Sequence, residues 1–326
     1  MASVIARRAG RPDHGDDIII EAAWLYYEDG LNQNDIAERL GVSRATVVNY
    51  LQEARERAYV RISLSQDAFS GHRLAVALKE ALSLTDVIIM PDADEVSATA
   101  RRVARGAARW LPQLLSPGDR LGVAWGKTIF DVAESIEPSA IADLTVLQLV
   151  GSMATPYGFS ADVCSSYVAR RLSADCVNLH VPAIFSTSEL AARVRDEALI
   201  ANQFDAIGHV NKTLFAVGSV LPDSHVVSSG VAKRDELRWY VDRGAVGVLC
   251  GRFINADGGH VDGPLDARMM GVAPDAMRAP EMGMLVSVGP ERVAAAIAAV
   301  RGGYTTHLVT HQSSAEAMLA HIQRAR

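Results

Sequence analysis

Leu31–Val60, LNQNDIAERLGVSRATVVNYLQEARERAYV, is the stretch from which the organisation of the whole chain is read. Ile36, Ala37 and Leu40 recur at helical spacing, Gly41 supplies the left-handed residue that closes a helix, and Ser43 offers a hydroxyl to cap the next one. In the second helix Val47, Leu51 and Ala54, with Val42 before it, take the inward side, while Arg44, Ala45, Thr46, Val48 and Asn49 point outward at the N-terminal end. A plain amphipathic hairpin accounts for the inward residues but has no use for the outward ones. An exposed helix N-terminus of small, basic and amide side chains suits a DNA major groove, because Arg pairs with guanine, Asn with adenine, and a methyl group touches thymine. The candidate DNA contacts are Gln33, Ser43, Arg44, Ala45, Thr46 and Asn49, with Arg55 and Arg57 further along the helix toward phosphate or solvent.

Upstream, Asp16 to Asp29 carries Ile18, Ile19, Ala22, Ala23, Leu25 and Tyr26 at helical spacing with Gly30 at the end, which predicts a third helix packed behind the hairpin. Met1 to Gly15, with Arg7, Arg8 and Arg11 among glycine and proline, reads as a tail, either an inert leader or an arm toward DNA. Downstream, RISLS alternates like a short strand and helical periodicity resumes from Phe69 to Leu82. The head therefore ends near Arg61, giving a small all-α helix-turn-helix domain over 1–61 and a second domain over 62–326.

In that second domain DVIIM, DRLGVAW, LTVLQLV, CVNLHV, TLFAVGS, AVGVLCG, MLVSVG and THLVT alternate with helical stretches. Apolar runs of this length between helices predict an α/β fold with a largely parallel sheet covered on both faces. FINADGGHVDGP breaks the pattern with turn residues, as a β-hairpin or an irregular loop would. A hydrophobic content of 49%, a charged content of 21% and a net charge of −6 describe a globular chain with no overall pull on nucleic acid, so any basic surface must be local. Three cysteines far apart, Cys164, Cys176 and Cys250, fit reduced thiols in the cytoplasm and offer no metal-ligand spacing. No apolar run approaches a membrane span of roughly 18 residues, and no secretory signal opens the chain. No metal or cofactor is expected.

Ligands of open parallel sheets bind beyond the carboxyl ends of the strands. There Gly122 to Thr128, GVAWGKT, precedes a helix, so that Gly122 and Gly126 free backbone amides for an anion while Lys127 and Thr128 add a charge and a hydroxyl. The loop is one residue short of a nucleotide P-loop, and no acidic strand end completes one. Gly151 and Ser152 after LTVLQLV, and Gly218 after TLF, add glycine turns at the same edge. Catalytic constellations are lacking: His180, His209, His225, His260, His307 and His311 form no HExxH pattern and pair with no assignable nucleophile, and read as surface or satisfied core residues. Lys127 beside Trp125 leaves a Schiff base open as a minor alternative.

A helix-turn-helix ahead of a long α/β domain, with GVAWGKT, GAVGVLCGRFINADG and GPERVAAAIAAVRGG in order, resembles the SorC family of bacterial sugar-responsive transcriptional regulators, also called DeoR-like. The resemblance spans nearly the whole chain. It implies an effector domain like sugar-phosphate isomerases and glucosamine-phosphate deaminases, a sugar, polyol or sugar-phosphate effector, operator DNA as partner, and a homotetramer. It also implies that Gly126, Lys127 and Thr128 cradle the ligand and that Arg292 reaches the same pocket. The chain departs from the family pattern at Val48 and Asn49, where Ser and Arg are common, at Val248 and Val288, and at His311 and Gln312, which replace an acidic pair. The alternative expectation is an isomerase or deaminase carrying a DNA-binding head, although proton transfer there needs well-placed carboxylates.

Overall fold

The computed structural model describes residues 14–62, 73–153 and 160–324. The chain divides into two compact units, Met1–Ser65 and Gln66–Arg326. The tail before residue 14 and most of RISLS lie outside the described residues, and Arg61 and Ile62 are not in a strand.

In the first unit α1 (His14–Tyr27), α2 (Gln33–Leu40) and α3 (Arg44–Glu56) pack on Ile19, Ala22, Ala23, Leu25, Ile36, Ala37, Val47, Leu51 and Ala54. Helix α1 starts two residues before the expected Asp16 and ends at Tyr27. The Asn32 side chain accepts the amides of Asn34 and Asp35 and so caps α2, and Gly41 closes it at φ 67°. Ser43 Oγ accepts the Thr46 amide at 3.0 Å and starts α3, as its hydroxyl predicts. At the far end of α3, Arg57 is held by Asp16 and Glu53, and the Tyr59 hydroxyl donates to the same Asp16 at 2.9 Å.

The second unit is built on a seven-stranded sheet in which every pairing is parallel. Its strands are β1 (Asp86–Met90), β2 (Arg120–Val123), β3 (Thr145–Gln148), β4 (Asp175–Val177), β5 (Lys212–Phe215), β9 (Met282–Val286) and β10 (His307–His311), in the order β1-β10-β9-β5-β2-β3-β4. The runs are apolar on both sides because alternate residues enter different cores. Val87 and Ile89 of β1 join one core and Ile88 the other, and Leu308 and Val309 of β10 divide likewise. Helices α5 (Val96–Trp110), α6 (Lys127–Ser135) and α7 (Ala161–Leu172) cover one face. The core on the other face holds α4 (Arg73–Leu82), α8 (Ser188–Arg195), α9 (Ala198–Gly208), the short α10 (His225–Ser228), α11 (Arg234–Val241), α12 (Val293–Arg301) and α13 (Gln312–Arg324). Helix α4 begins at Arg73, and the expected start at Phe69 falls outside the described residues.

Three further strands stand outside this sheet, in keeping with a largely parallel fold. Strands β6 (Val217–Gly218), β7 (Ala245–Leu249) and β8 (Arg252–Asn255) form a separate antiparallel sheet. FIN of the turn-rich segment belongs to β8, and the reversal lies before it, at Cys250 and Gly251, with φ of 48° and 79°. Two consecutive left-handed residues make the tight hairpin turn whose twist matches antiparallel strands.

The loop after β8 is organised by Asp266. Its Oδ1 accepts Arg252 and His260, both at 2.8 Å, and its Oδ2 accepts the Tyr240 hydroxyl and the Gly263 amide. His260, Asp262 and Asp266 come together, but four protein donors already occupy the Asp266 carboxylate. Burial pushes this carboxyl up, and the hydrogen bonds from His260, Arg252 and Tyr240 outweigh it, bringing it down to about 2. A carboxylate depressed on folding stabilises the fold fully above its ordinary value near about 4, and the contribution is lost as pH falls toward 2. Asp266→Ala, which leaves Arg252 buried without its carboxylate, should cost about 3–5 kcal/mol in chemical denaturation at neutral pH. The gap from wild type should narrow below pH 4; a pH-independent gap would contradict the assignment.

Candidate functional site

Two surfaces carry the residues that the sequence singles out, one on each unit. On the head, Arg44, Ala45, Val48 and Asn49 are exposed along the outer side of α3. Gln33, the first residue of α2, accepts from Arg44 Nε at 3.3 Å, so the two helices jointly orient this guanidinium. The Ser43 and Thr46 hydroxyls are 2.8 Å apart and share a hydrogen bond, which ties both to the helix start. Arg55 is exposed with Nε bonded to the Leu51 carbonyl. Arg57 is exposed and ion-paired with Asp16 and Glu53.

On the second unit a cavity of about 790 Å³ opens at the carboxyl edge of the sheet. Its position follows from the strand order. From β2 the chain proceeds outward to β3 and β4, whereas β5, β9 and β10 build the sheet the other way. Connections leave adjacent β2 and β5 toward opposite sides, and the crevice between them is where such sheets hold ligands. Ala124–Thr128 after β2, Ala216–Ser219 after β5, the Cys250–Gly251 turn, and Glu291 and Arg292 after β9 form the walls.

Gly126 stands in this wall at φ 121° and ψ 168°, immediately before α6. A Cβ at this position would meet nothing within 4 Å, so the absent side chain leaves the peptide open to the cavity. Lys127 and Thr128 follow as the first residues of α6 and line the same cavity, and the first amides of a helix have no partner within it. Lys127 is 64% exposed and ion-paired with Asp131 one turn on, so its charge is already partly answered. Arg292 enters from the β9 side, with Nη1 bonded to the Val288 carbonyl and 3.0 Å from Glu291. The Trp125 and His225 rings lie against each other, tilted by 36° with centroids 4.8 Å apart. Burial lowers the His225 pKa and the Arg292 charge lowers it further, which keeps the imidazole neutral at pH 7. Ser224 is only 7% exposed and lines the cavity, and its Oγ has no hydrogen-bond partner among the described residues. Cys250 also lines it, but burial pushes its thiol up to about 12 and removes it as a nucleophile.

Of the expected ligand residues, Gly126, Lys127, Thr128, Gly218 and Arg292 meet here, while Gly122, Gly151 and Ser152 do not. Gly122 lies within β2, where a Cβ would come within 2.6 Å of Leu149 Cδ2, and at Gly151 it would come within 2.6 Å of the Pro182 carbonyl. Both are glycines because neighbours press on them. Ser152 donates to Asp162 at 2.8 Å and accepts from Gln148, in a link at the end of β3. Sequence reasoning passed over Asp223, Ser224 and Glu291, and took His225 for an ordinary histidine. The strand-end rule, applied to the whole connection after β5 and not only its first residues, finds SVLPDSH.

Residues 66–320 match the family described as "Putative sugar-binding domain". The uncharacterized transcriptional regulator YjhU of Escherichia coli (strain K12) is 36% identical over 311 residues, covering 94% of this chain and 95% of that protein. The deoxyribonucleoside regulator of Bacillus subtilis (strain 168) is 29% identical, covering 92% of this chain and 96% of that protein. In fold, the full-length sorbitol operon regulator SorC from Klebsiella pneumoniae superposes with a TM-score of 0.78 at 22% identity, covering 95% of this chain and all of that one. The relatives are regulators, not isomerases or deaminases, and the chain belongs to the SorC family of sugar-binding transcriptional regulators.

Proposed function

We propose that the cavity between the ends of β2, β5 and β9 is the effector site, that it takes a sugar, a polyol or a sugar phosphate, and that its occupancy changes the affinity of the head for operator DNA. The observation that carries this reading is the composition of the crevice wall. An open glycine peptide at a helix start and a guanidinium suit an anionic group. The Trp125–His225 pair, buried Ser224 and the carboxylates of Asp223 and Glu291 suit a hydroxylated ring or chain. Coupling to DNA is reciprocal, so operator DNA alters effector affinity by the same factor. Calorimetry on matched pairs of sugar and sugar phosphate tests the site. Gly126→Val should abolish binding of both by filling the open approach. Arg292→Ala should weaken the phosphorylated member about tenfold or more, the loss of one charge-assisted contact. Lys127→Ala should cost less than Arg292→Ala because Asp131 already holds the ammonium, and equal small losses for every ligand would refute the anion assignment.

On the head, Arg44 and Asn49 read bases, Gln33 steadies Arg44, and Ser43, Ala45, Thr46 and Arg55 complete the groove and phosphate contacts. Arg44→Ala and Asn49→Ala should each weaken specific binding by about 1–3 kcal/mol while non-specific binding changes little. Titration of the purified protein against selected genomic fragments and random duplex measures both, and an Arg44→Ala protein that discriminates like wild type would remove the groove assignment.

The regulator acts in the cytoplasm, consistent with its free cysteines. Among the described residues no helix is long and apolar enough to cross a membrane. It acts as a homo-oligomer, a tetramer by family likeness, because one three-helix module buries only about 600–1,000 Å² on DNA and discriminates poorly alone. Light scattering at micromolar concentration should return about four times the 34.9 kDa of one chain. A monomer with and without DNA would contradict this.

A further inference from the structure

His311, which departs from the family pattern, sits at the carboxyl end of β10 and is used by neither DNA nor ligand in the reading above. It is buried, and its two ring nitrogens face two different loops. Nδ1 lies 2.6 Å from Asp92 Oδ1, just beyond the end of β1, and that carboxylate also accepts the Ser313 amide. Nε2 accepts the backbone amide of Gly289 at 3.2 Å and lies 2.8 Å from Ser314 Oγ. A backbone N–H can only donate, so Nε2 carries no proton; the ring's single proton is on Nδ1 and is given to Asp92. Asp92 thereby selects the tautomer that can hold Gly289.

Gly289 lies just before the cavity residues Glu291 and Arg292. Its carbonyl accepts the Arg292 amide, and the Val288 carbonyl just before it accepts Arg292 Nη1. Arg292 is thus tied through its side chain to the peptide between Val288 and Gly289 and through its main chain to the next one, and the first of these peptides is tied to His311. At φ 98° and ψ 146°, Gly289 holds a conformation that L side chains rarely adopt. We infer that His311, oriented by Asp92, is a positioning residue for the effector cavity: it fixes the Gly289 peptide and through it the guanidinium of Arg292. The inference deepens the effector-site reading and rests on it for its consequence in binding, though not for its consequence in the loop.

The test compares the full-length wild type with His311→Leu, which cannot accept the Gly289 amide, and His311→Gln, which carries an acceptor and a donor on one side chain. Asp92→Ala serves as a second route, since Asp92 is partly exposed and its loss spares the core even where His311→Leu folds poorly. Hydrogen exchange of the segment 288–292 in ligand-free protein should quicken about tenfold or more in His311→Leu, the loss of a hydrogen bond of ordinary strength. Asp92→Ala should show a smaller effect and His311→Gln should stay near wild type, with exchange in β2 and β5 unchanged in all. Inorganic phosphate is the binding probe. By calorimetry its affinity should fall about tenfold in His311→Leu and within about twofold in His311→Gln. Equal exchange of 288–292 in every variant, or a Gln protein as impaired as the Leu protein, would overturn the proposal. If the wild type binds no phosphate, the anion reading of the cavity falls, and the exchange data alone decide the role of His311.

Discussion

Parallel pairing is the constraint on which the second unit depends. When all seven strands run the same way, every strand begins at one edge of the sheet and ends at the other, and each return must pass through a covering helix. The carboxyl edge then gathers loops from distant parts of the sequence, here those after β2, β5 and β9, without any one loop forming a pocket. The order of the strands decides where they separate. Between β2 and β5 the connections part, and the space that opens is lined by a helix start, the Arg292 guanidinium and a tilted aromatic pair.

How much of this could be read in advance differed by kind of signal. The helix-turn-helix was legible because its caps are local: Gly41, Ser43 and the inward valine and leucine act over a few residues, and the structure holds them as their chemistry requires. The parallel strands were legible because burial on both faces leaves no alternative to an apolar run. The antiparallel strands were less so, since β6 is two residues long and the hairpin turn uses Cys250 where asparagine would announce it. Glycine misled in a particular way. Gly126 is open to a cavity, while Gly122 and Gly151 are pressed by Leu149 and Pro182, and a sequence shows the same letter for both situations. Ser224 and Glu291 reach the cavity through chain reversals that no periodicity encodes.

Charge is managed locally on both units. A chain of net charge −6 approaches DNA only where its own acids stand aside. On the head, Asp16 and Glu53 pair with Arg57 at the far end of α3, and Arg44 at the near end bonds to the uncharged amide of Gln33. In the cavity the division is similar: Asp131 takes up the charge of Lys127, and Arg292 is bridged by the neighbouring Glu291 while its frame is held by carbonyls.

Helix α12 starts directly after Arg292 and lies against β7, where a Cβ on Gly247 would come within 2.5 Å of the Ala295 methyl. Alanines fill most of its length, so helix and strand meet almost backbone to backbone, with no long side chains between them to bend. A soft interface would absorb a small shift at the mouth of the cavity. This one is stiff by its close packing, and it joins two parts of the cavity wall: Arg292 stands at the start of the helix, and β7 ends at Leu249 beside the Cys250 turn. Two parts of the cavity lining are therefore carried by one tightly packed helix and strand.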